Sequence, residues 1–291
     1  MRIVGKAIIT AVAFLAGVAV FAQDGSGALP FVRTDFGPVL TGSAGAAVAS
    51  PEAGPWSAFR GAGALAFDQS VLNAGGEFRI NGDGNIGLGA AVGAKLSDRI
   101  GAGLGVAYLG GDEIGGFRTS DMLIAGGVGF GITDNLSIGL NLRYAKQNLT
   151  ESVSYKAASA DIGALVKFTD SVTAAAGLSA LGGSITSASG TTYKQPSNAY
   201  VGAEYVMGAL SLDAMGEFYF SGSVAAALGA AYTYNDMVTI RAGYRAASSG
   251  CVLPSHFAAG IEGRFGEFRA NVNIAILPAT YIVSAGLGYI F

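Results

Sequence analysis

The residues in this sequence that could do chemistry are charged side chains at alternate positions of segments that are otherwise apolar or small. Alternate residues of an extended chain share one face, so these charges lie opposite the apolar residues. They can line a path for a solute, or they can pair across neighbouring strands and with an interior segment; we favour pairing because acids and bases alternate. We expect the charges to face the interior of a closed sheet at Arg143, Asp161, Lys167, Glu204, Asp213, Glu217, Arg241, Arg245, Glu262, Arg264, Glu267 and Arg269.

The residue patterns of known catalytic sites are missing from this sequence. His256 is the only histidine and Cys251 the only cysteine, and no HExxH or GxSxG motif occurs. Gly-x-Gly pairs such as Gly87-Leu-Gly89 have no predicted helix after them, which a dinucleotide site requires. We therefore interpret His256 as a polar residue at a strand end and predict no enzyme activity, no cofactor and no metal site.

The elements that would position the charges are β-strands. From about residue 74 the chain falls into about fourteen segments in which apolar residues occupy every second position. The last segment, Tyr281–Phe291, shows this alternation over its whole length. Each segment has roughly ten residues, which is the length that a tilted strand needs to cross the hydrocarbon of a bilayer.

The composition favours a membrane barrel over a soluble β-sandwich. The chain is 51% hydrophobic and only 13% charged, and it contains 46 glycines. The face that carries the charges is otherwise Gly, Ala and Ser, which suits the interior of a barrel. Because lipid offers no partner to a backbone N–H group, a sheet that spans it must close. We predict an all-β protein, a closed transmembrane antiparallel β-barrel of about 14 strands. The net charge of −3 argues against nucleic acid as a partner.

The turns and the C-terminus indicate the bacterial outer membrane. Tight turns at Asp98, Asp134 and Asp170 alternate with longer connections such as 110–120 and 181–197. Outer-membrane barrels have short periplasmic turns and longer external loops. The terminal aromatics Tyr289 and Phe291 resemble the assembly signal of such barrels. We therefore expect outer-membrane lipid and the barrel-assembly machinery as partners.

The N-terminus divides into two further segments. Residues 1–22 combine Arg2 and Lys6 with an apolar run and a small-residue cleavage site, which predicts a cleaved signal peptide. Residues 23–72 do not alternate and are rich in small residues, so we interpret them as a hatch segment inside the lumen rather than a periplasmic linker. Residues 73–291 form the predicted barrel.

The predicted hatch contains four characteristic stretches: Phe31-Val-Arg33, the small-residue run Gly42–Ser50, Trp56-Ser-Ala-Phe59 and Ala62–Phe67. Together they resemble the opening of the PorV/PorQ family of outer-membrane barrels, which is related to FadL transporters. The sequence departs from the family where Arg60-Gly61-Ala62 replaces its usual Asn-Pro-Ala step. The resemblance implies a fourteen-stranded barrel with a hatch, and association with type IX secretion.

Two functions remain open at this point. The first is a partner- or cargo-binding role in protein secretion (type IX), with loops 110–120 and 181–197 as the contact surface. The alternative is a FadL-like transporter that passes small hydrophobic solutes across the cell outer membrane.

Overall fold

The described part of the chain, residues 29–68, 70–186, 190 and 192–291 of a computed structural model, contains a closed antiparallel β-barrel of fourteen strands. The predicted signal peptide lies outside the described residues. The strands in chain order, including a separate two-stranded sheet of β8 and β9, are β1 (Leu72–Asn81), β2 (Ile86–Ser97), β3 (Ile100–Ile114), β4 (Phe117–Thr133), β5 (Leu136–Asn148), β6 (Ser154–Thr169), β7 (Val172–Gly182), β8 (Ile185–Thr186), β9 (Thr192–Tyr193), β10 (Asn198–Met207), β11 (Leu210–Tyr219), β12 (Val224–Tyr234), β13 (Val238–Ala247), β14 (His256–Phe265), β15 (Phe268–Ile276) and β16 (Tyr281–Ile290).

The strands pair in chain order, and the sheet closes where β1 meets β16. At this seam Ala74 lies opposite Tyr289 and Arg79 opposite Ser284. In the barrel, β7 is the direct neighbour of β10. The strands between them in the chain, β8 and β9, form a separate two-stranded sheet. The predicted fold class is confirmed, because all the alternating segments of the sequence become strands of one closed sheet.

The two ends of the barrel differ in their connections. At one end, here named the short-turn end, two or three residues join the strands at 98–99, 134–135, 170–171, 208–209, 235–237 and 266–267. The C-terminus lies at this end, because Ile290 pairs with Asn73. The opposite, long-loop end carries the connections 149–153, 183–197 and 248–255. The segment 110–120 is not a loop as expected: β3 and β4 continue through it to a tight turn at Gly115 and Gly116.

The outward face of the barrel carries the large apolar side chains. Leu142, Leu228 and Leu287 are each at least 60% exposed, although they lie in the middle of regular strands. Such exposure is unfavourable in water and favourable against hydrocarbon. Of the aromatic residues at or near strand ends, Phe168 and Phe220 are half-buried. The others point outward and are exposed: Tyr108, Tyr144, Tyr205, Tyr234, Phe265, Tyr281 and Phe291.

The described part of the N-terminal segment packs inside the barrel as short helical pieces. It comprises 3₁₀ turns at Pro30–Arg33, Pro51–Ala58 and Ala62–Ala66 and one five-residue helix, α1 (Pro38–Gly42). A proline begins three of these pieces, where its missing N–H costs no helical hydrogen bond. Among the described residues, no helix is long and apolar enough to cross a membrane. We call residues 29–68 the hatch.

Inward-facing glycines make room for the hatch. A Cβ atom added to Gly75 would lie 2.9 Å from the Trp56 ring, and one added to Gly89 would lie 3.1 Å from the Phe36 ring. At Gly105 it would lie 2.5 Å from the Phe59 ring. These distances are shorter than ordinary van der Waals contacts, so the three aromatic rings pack directly on the backbone of the wall. Some of the many glycines of this chain are therefore needed for the hatch to pack against the wall.

Adjacent glycines of β1 provide a test of this packing. Gly75→Ala places a methyl group against Trp56, whereas Gly76→Ala points outward, where the nearest atom is 4.0 Å from the new Cβ. We expect Gly75→Ala to cost about 1–3 kcal/mol of stability from overpacking. Because Trp56 is the only tryptophan, its fluorescence emission reports the change directly. Equal emission spectra for the two variants would contradict the packing described here.

The outward face has its own test. Leu287→Arg places a charge in the exposed apolar band of β16. We expect it to reduce folding stability in liposomes by about 2–4 kcal/mol, the cost of a cation near the bilayer midplane. Glu267→Arg, in the exposed 266–267 turn, is the control and should fold normally. Urea titrations of both variants, followed by heat-modifiable gel mobility, measure the difference. Equal midpoints would show that β16 does not face hydrocarbon at Leu287.

Candidate functional site

A buried carboxylate, Glu217 of β11, joins the hatch to the barrel wall. It pairs with two hatch arginines, Arg33 and Arg60, and with Arg245 of β13. The Arg60–Glu217 distance is 2.5 Å, and Tyr219 donates a further hydrogen bond of 3.1 Å from its hydroxyl. Glu217 and Arg245 are completely buried. Charge-assisted hydrogen bonds of this kind compensate for the loss of hydration, so the hatch is tied to one point of the wall.

A second ion pair lies beside this one. Arg143 of β5 binds Asp161 of β6, and it donates a 2.7 Å hydrogen bond to the carbonyl oxygen of Val32 in the hatch. Ser179 of β7 accepts from Arg33 at 2.7 Å and from Arg143 at 3.2 Å. Burial disfavours the charge of Arg33, but Glu217 and more distant carboxylates outweigh it, so the pKa of the guanidinium is raised above its usual value. The hatch arginine is therefore held as a cation.

The first strand also holds the hatch. Glu77 accepts a 2.9 Å hydrogen bond from the backbone N–H of Gly37, and it pairs with Arg79. The Arg79 guanidinium lies 4.3 Å from the centre of the Phe36 ring and 3.3 Å from the Thr41 hydroxyl. These contacts fix the start of α1 against β1. They combine an ion pair with a cation–π contact, which suits a guanidinium group.

The short-turn end of the lumen is polar and contains a cavity of about 380 Å³. Glu204 and Asp213 lie directly opposite each other on β10 and β11 and line this cavity. One carboxylate oxygen of Asp213 is buried and has no hydrogen-bond partner in the described residues. Lys167 lies 4.2 Å from the centre of the Phe67 ring at the same end. The arrangement suits a hydrated mouth.

Glu262 organises the remaining wall charges at the short-turn end. It lies 3.1 Å from Arg264, 3.7 Å from Arg241 and 3.9 Å from Arg269. Glu52 of the hatch reaches Arg264 at 3.2 Å. Acids and bases thus pair with one another and with the hatch here.

In the half of the wall from β2 to β7, an apolar region of the lumen lies between the polar short-turn end and the lumen-facing Asp121 and Gln147 near the long loops. Hatch residues meet small wall residues there and form one buried cluster: Leu29, Phe31, Val32, Phe36, Trp56 and Phe59 with Ala91, Ala107, Leu123, Ala125, Ala145, Ala180 and Ile185. The Phe36 and Phe59 rings are 4.7 Å apart. We call this set the lumen apolar cluster. It separates the polar short-turn end of the lumen from the long-loop end.

The pairing of β7 with β10 ends three residues before the end of β7, and we call this unpaired stretch beside the cluster the wall interruption. The strand pairing ends at Ser179 and Asn198, and Ala180 has a positive φ of 55°. Asp161 accepts a hydrogen bond from the N–H of Ala180 at a register shift between β6 and β7. Beyond this point side chains span the gap: Ser197 donates to the carbonyl oxygen of Ala180 in β7 at 2.6 Å, and Gln195 donates to that of Ala158 in β6, past the end of β7, at 2.8 Å.

The predicted charges occupy different places in the barrel. Arg143, Asp161, Glu217 and Arg245 meet around the hatch, and the others lie toward the short-turn end: Lys167, Glu204, Asp213, Arg241, Glu262, Arg264 and Arg269. Glu267 requires a correction. It is exposed in the 266–267 turn, because β14 ends at Phe265 and the alternation of faces stops there.

Sequence reasoning missed the charges that the hatch supplies. Arg33, Arg60, Asp35 and Glu52 all form ion pairs, and Glu77 and Arg79 join them from β1. Their signal in the sequence was the presence of charges within a segment of small residues.

The aromatic residues predicted as an assembly signal lie at the seam. Tyr289 packs edge-on against Phe268 and Phe291 at centroid distances of 4.7 Å and 4.4 Å. Its role in assembly stays a prediction.

Glu217 is the residue whose loss should loosen the hatch. Glu217→Gln leaves Arg33, Arg60 and Arg245 without their shared carboxylate, at an expected cost of about 3–5 kcal/mol. We expect faster backbone hydrogen exchange in residues 30–66, while the strands away from Glu217 keep their protection. The control is Asp170→Asn in an exposed turn, which should change neither. Unchanged exchange in the hatch of Glu217→Gln would contradict the anchoring role.

Comparison with solved structures identifies similar folds. The toluene transporter TbuX of Ralstonia pickettii superposes with a TM-score of 0.68 at 13% identity, covering 87% of this chain and 97% of that one. The P. putida toluene transporter TodX gives 0.65 at 14% identity, with 88% and 98% covered. A Pseudomonas aeruginosa FadL homologue gives 0.64 at 12% identity, with 87% and 98% covered.

Sequence comparisons add no relative. No family model matches this sequence, so the resemblance to PorV/PorQ stays a prediction. No curated protein matches either. At these identities the structural likeness concerns the fold alone, and this chain shares the barrel fold of the three structures named above.

Proposed function

We propose that this protein passes small apolar solutes across the bacterial outer membrane. The fold is that of barrels described as toluene transporters and monoaromatic hydrocarbon channels. The structures that resemble this chain are transporters and channels, which agrees with the absence of catalytic motifs in its sequence. The single observation that carries the proposal is the position of the lumen apolar cluster directly beside the wall interruption.

The lumen apolar cluster favours an apolar solute over a polar one. Its aromatic members Phe31, Phe36, Trp56 and Phe59 offer flat surfaces and few polar groups. A polar solute would lose its hydration there without compensation, whereas a hydrocarbon gains by leaving water. A pore for hydrophilic solutes would instead have a polar lumen along its whole length.

The wall interruption offers such a solute a way into the membrane. Ala180 and Ile185 belong to the lumen apolar cluster and also flank the end of the β7–β10 pairing. Side-chain hydrogen bonds from Ser197 and Gln195 close the gap there, in place of a continuous backbone ladder. Such contacts open more readily than paired strands. Hatch residues form part of the lumen apolar cluster and fill the lumen there. Passage of a solute therefore also requires part of the hatch to move.

The secretion-associated role implied by the PorV/PorQ resemblance receives less support. Gln195 and Pro196 of the 183–197 connection are buried. That connection therefore serves in part as a seal of the wall rather than as a free contact surface. A pull-down from native outer membranes, analysed by mass spectrometry, would test this role: recovery of secretion components or cargo would favour it over transport.

Uptake by cells tests the transport proposal and the route together. Cells whose outer membrane contains the protein should take up radiolabelled toluene faster than cells without it, and radiolabelled sucrose at an unchanged rate. A disulfide between Ala180→Cys and Ser197→Cys, made in a Cys251→Ser background, ties the gap shut. We expect toluene uptake to fall to the level of cells lacking the protein, and to recover on reduction.

The matched control locks a part of the wall that is already paired. Ala226→Cys and Ala246→Cys lie directly opposite each other on β12 and β13, and their disulfide should leave toluene uptake unchanged. If the unlocked protein does not accelerate toluene uptake, the transport proposal is wrong. If it does, but the 180–197 lock has no effect, the solute takes a route other than the gap.

A further inference from the structure

Two lysines face outward, side by side, near the long-loop end of the barrel. Lys146 of β5 and Lys156 of β6 are direct cross-strand partners. The residues that flank them in sequence point inward, because Ala145, Tyr155 and Ala157 all belong to or pack against the lumen apolar cluster. Neighbouring residues of a strand point to opposite faces, so both ammonium groups lie on the outside of the wall.

The position of this pair along the wall corresponds to the membrane surface. The next outward pair toward the middle of the barrel is Tyr144 with Ala158, followed by Leu142 with Ala160. Tyr144 and Leu142 are exposed, as expected at the edge and in the interior of the hydrocarbon. The lysines stand about 7 Å beyond Tyr144, since two residues of a strand span that distance. This is the level of the lipid headgroups.

The protein does not neutralise these two charges. In the part of the chain that the structure describes, no side-chain hydrogen bond or ion pair reaches Lys146 or Lys156. The nearby carboxylate of Asp121 faces the lumen opposite Gln147, and Glu113 lies opposite Arg118 farther out. Glu151 is exposed in the 149–153 loop that joins the two strands, and it forms no ion pair with either lysine in the described residues. Like charges directly opposite each other on a sheet destabilise it. The pair therefore calls for an anion from outside the protein.

An apolar groove lies on the same outward face, nearer the middle of the barrel than the lysines. Gly126 of β4 leaves a depression between its cross-strand partners Leu104 and Leu142. Val128 and Leu140 extend this groove, whose volume is about 480 Å³. It begins two residues beyond Tyr144 on β5, so one molecule with a charged head and an apolar chain can contact both features.

We propose that Lys146 and Lys156 bind the phosphate of an anionic lipid headgroup while an acyl chain of the same lipid lies in the groove at Gly126. Phosphate is the anion that occurs at this depth in a membrane, and polybasic surfaces attract it. The site is distinct from the proposed solute path, because it lies on the outer surface of the wall.

Native mass spectrometry of the detergent-purified protein tests this proposal, with phosphatidylglycerol as the anionic probe and phosphatidylcholine as the neutral one. We expect the first phosphatidylglycerol to bind roughly 25-fold more tightly than phosphatidylcholine, about fivefold for each lysine. Lys146→Gln/Lys156→Gln should abolish this preference, and Lys146→Arg/Lys156→Arg should keep it. The control Lys95→Gln/Arg99→Gln removes two cations at the short-turn end and should leave it unchanged.

Two further measurements separate a lipid site from a simple anion site. Gly126→Leu fills the groove without touching the lysines, and it should weaken binding of both lipids. Inorganic phosphate should fail to displace phosphatidylglycerol at equal concentration. A preference for phosphatidylglycerol that survives loss of both lysines, or displacement by inorganic phosphate, would overturn the proposal. Unchanged lipid binding by Gly126→Leu would show that the acyl chain does not lie in the groove at Gly126.

Discussion

The attachment of the hatch to the wall through Glu217 is the interaction on which the interior of this barrel depends. A closed sheet of fourteen strands encloses more space than its inward side chains fill when many of them are glycine and alanine. The hatch occupies that space, and the ion pairs of Glu217 with Arg33 and Arg60 determine where it lies. Without them, the aromatic contacts and the remaining polar contacts of the hatch, such as those with Glu77 and Arg143, would have to hold it in register.

The packing and the charges act together in this interior. Glycines at positions 75, 89 and 105 let aromatic rings approach the backbone of the wall, which favours one orientation of the hatch. Ion pairs favour the same orientation, because a buried guanidinium without a carboxylate is strongly unfavourable. The result is a lumen with a hydrated, charged short-turn end and an apolar region near the long loops. This division bears on the proposed transport, because a solute would meet different environments on its way through the lumen.

The architecture could be predicted from the sequence because alternation is local. Each strand from β1 to β16, apart from the short β8 and β9, appears as a segment with one apolar face, and the charges mark the other face. Glu267 shows the limit of the rule: alternation has no meaning in a turn, so its inward direction was predicted wrongly.

The site itself depended on contacts that alternation does not encode. Glu217 and Arg33 are 184 residues apart in the chain, and nothing local in the sequence pairs them. The wall interruption contains Ala180, whose φ is positive although it is not a glycine. Such a backbone conformation cannot be predicted from the residue type. The small-residue run from Thr41 to Ser50 contains only the end of α1 and otherwise consists of turns and irregular backbone. Its composition indicated that the segment could pack closely, but not which backbone conformation it adopts.

The closure of the sheet at β1 and β16 has a consequence for the hatch. The hatch precedes β1 directly, and the start of β1 lies at the short-turn end, where it pairs with the end of β16. The same strand therefore carries both the closing pairs of the barrel and the covalent tether of the hatch. Opening of this seam would free the tethered end of the hatch together with one edge of the wall.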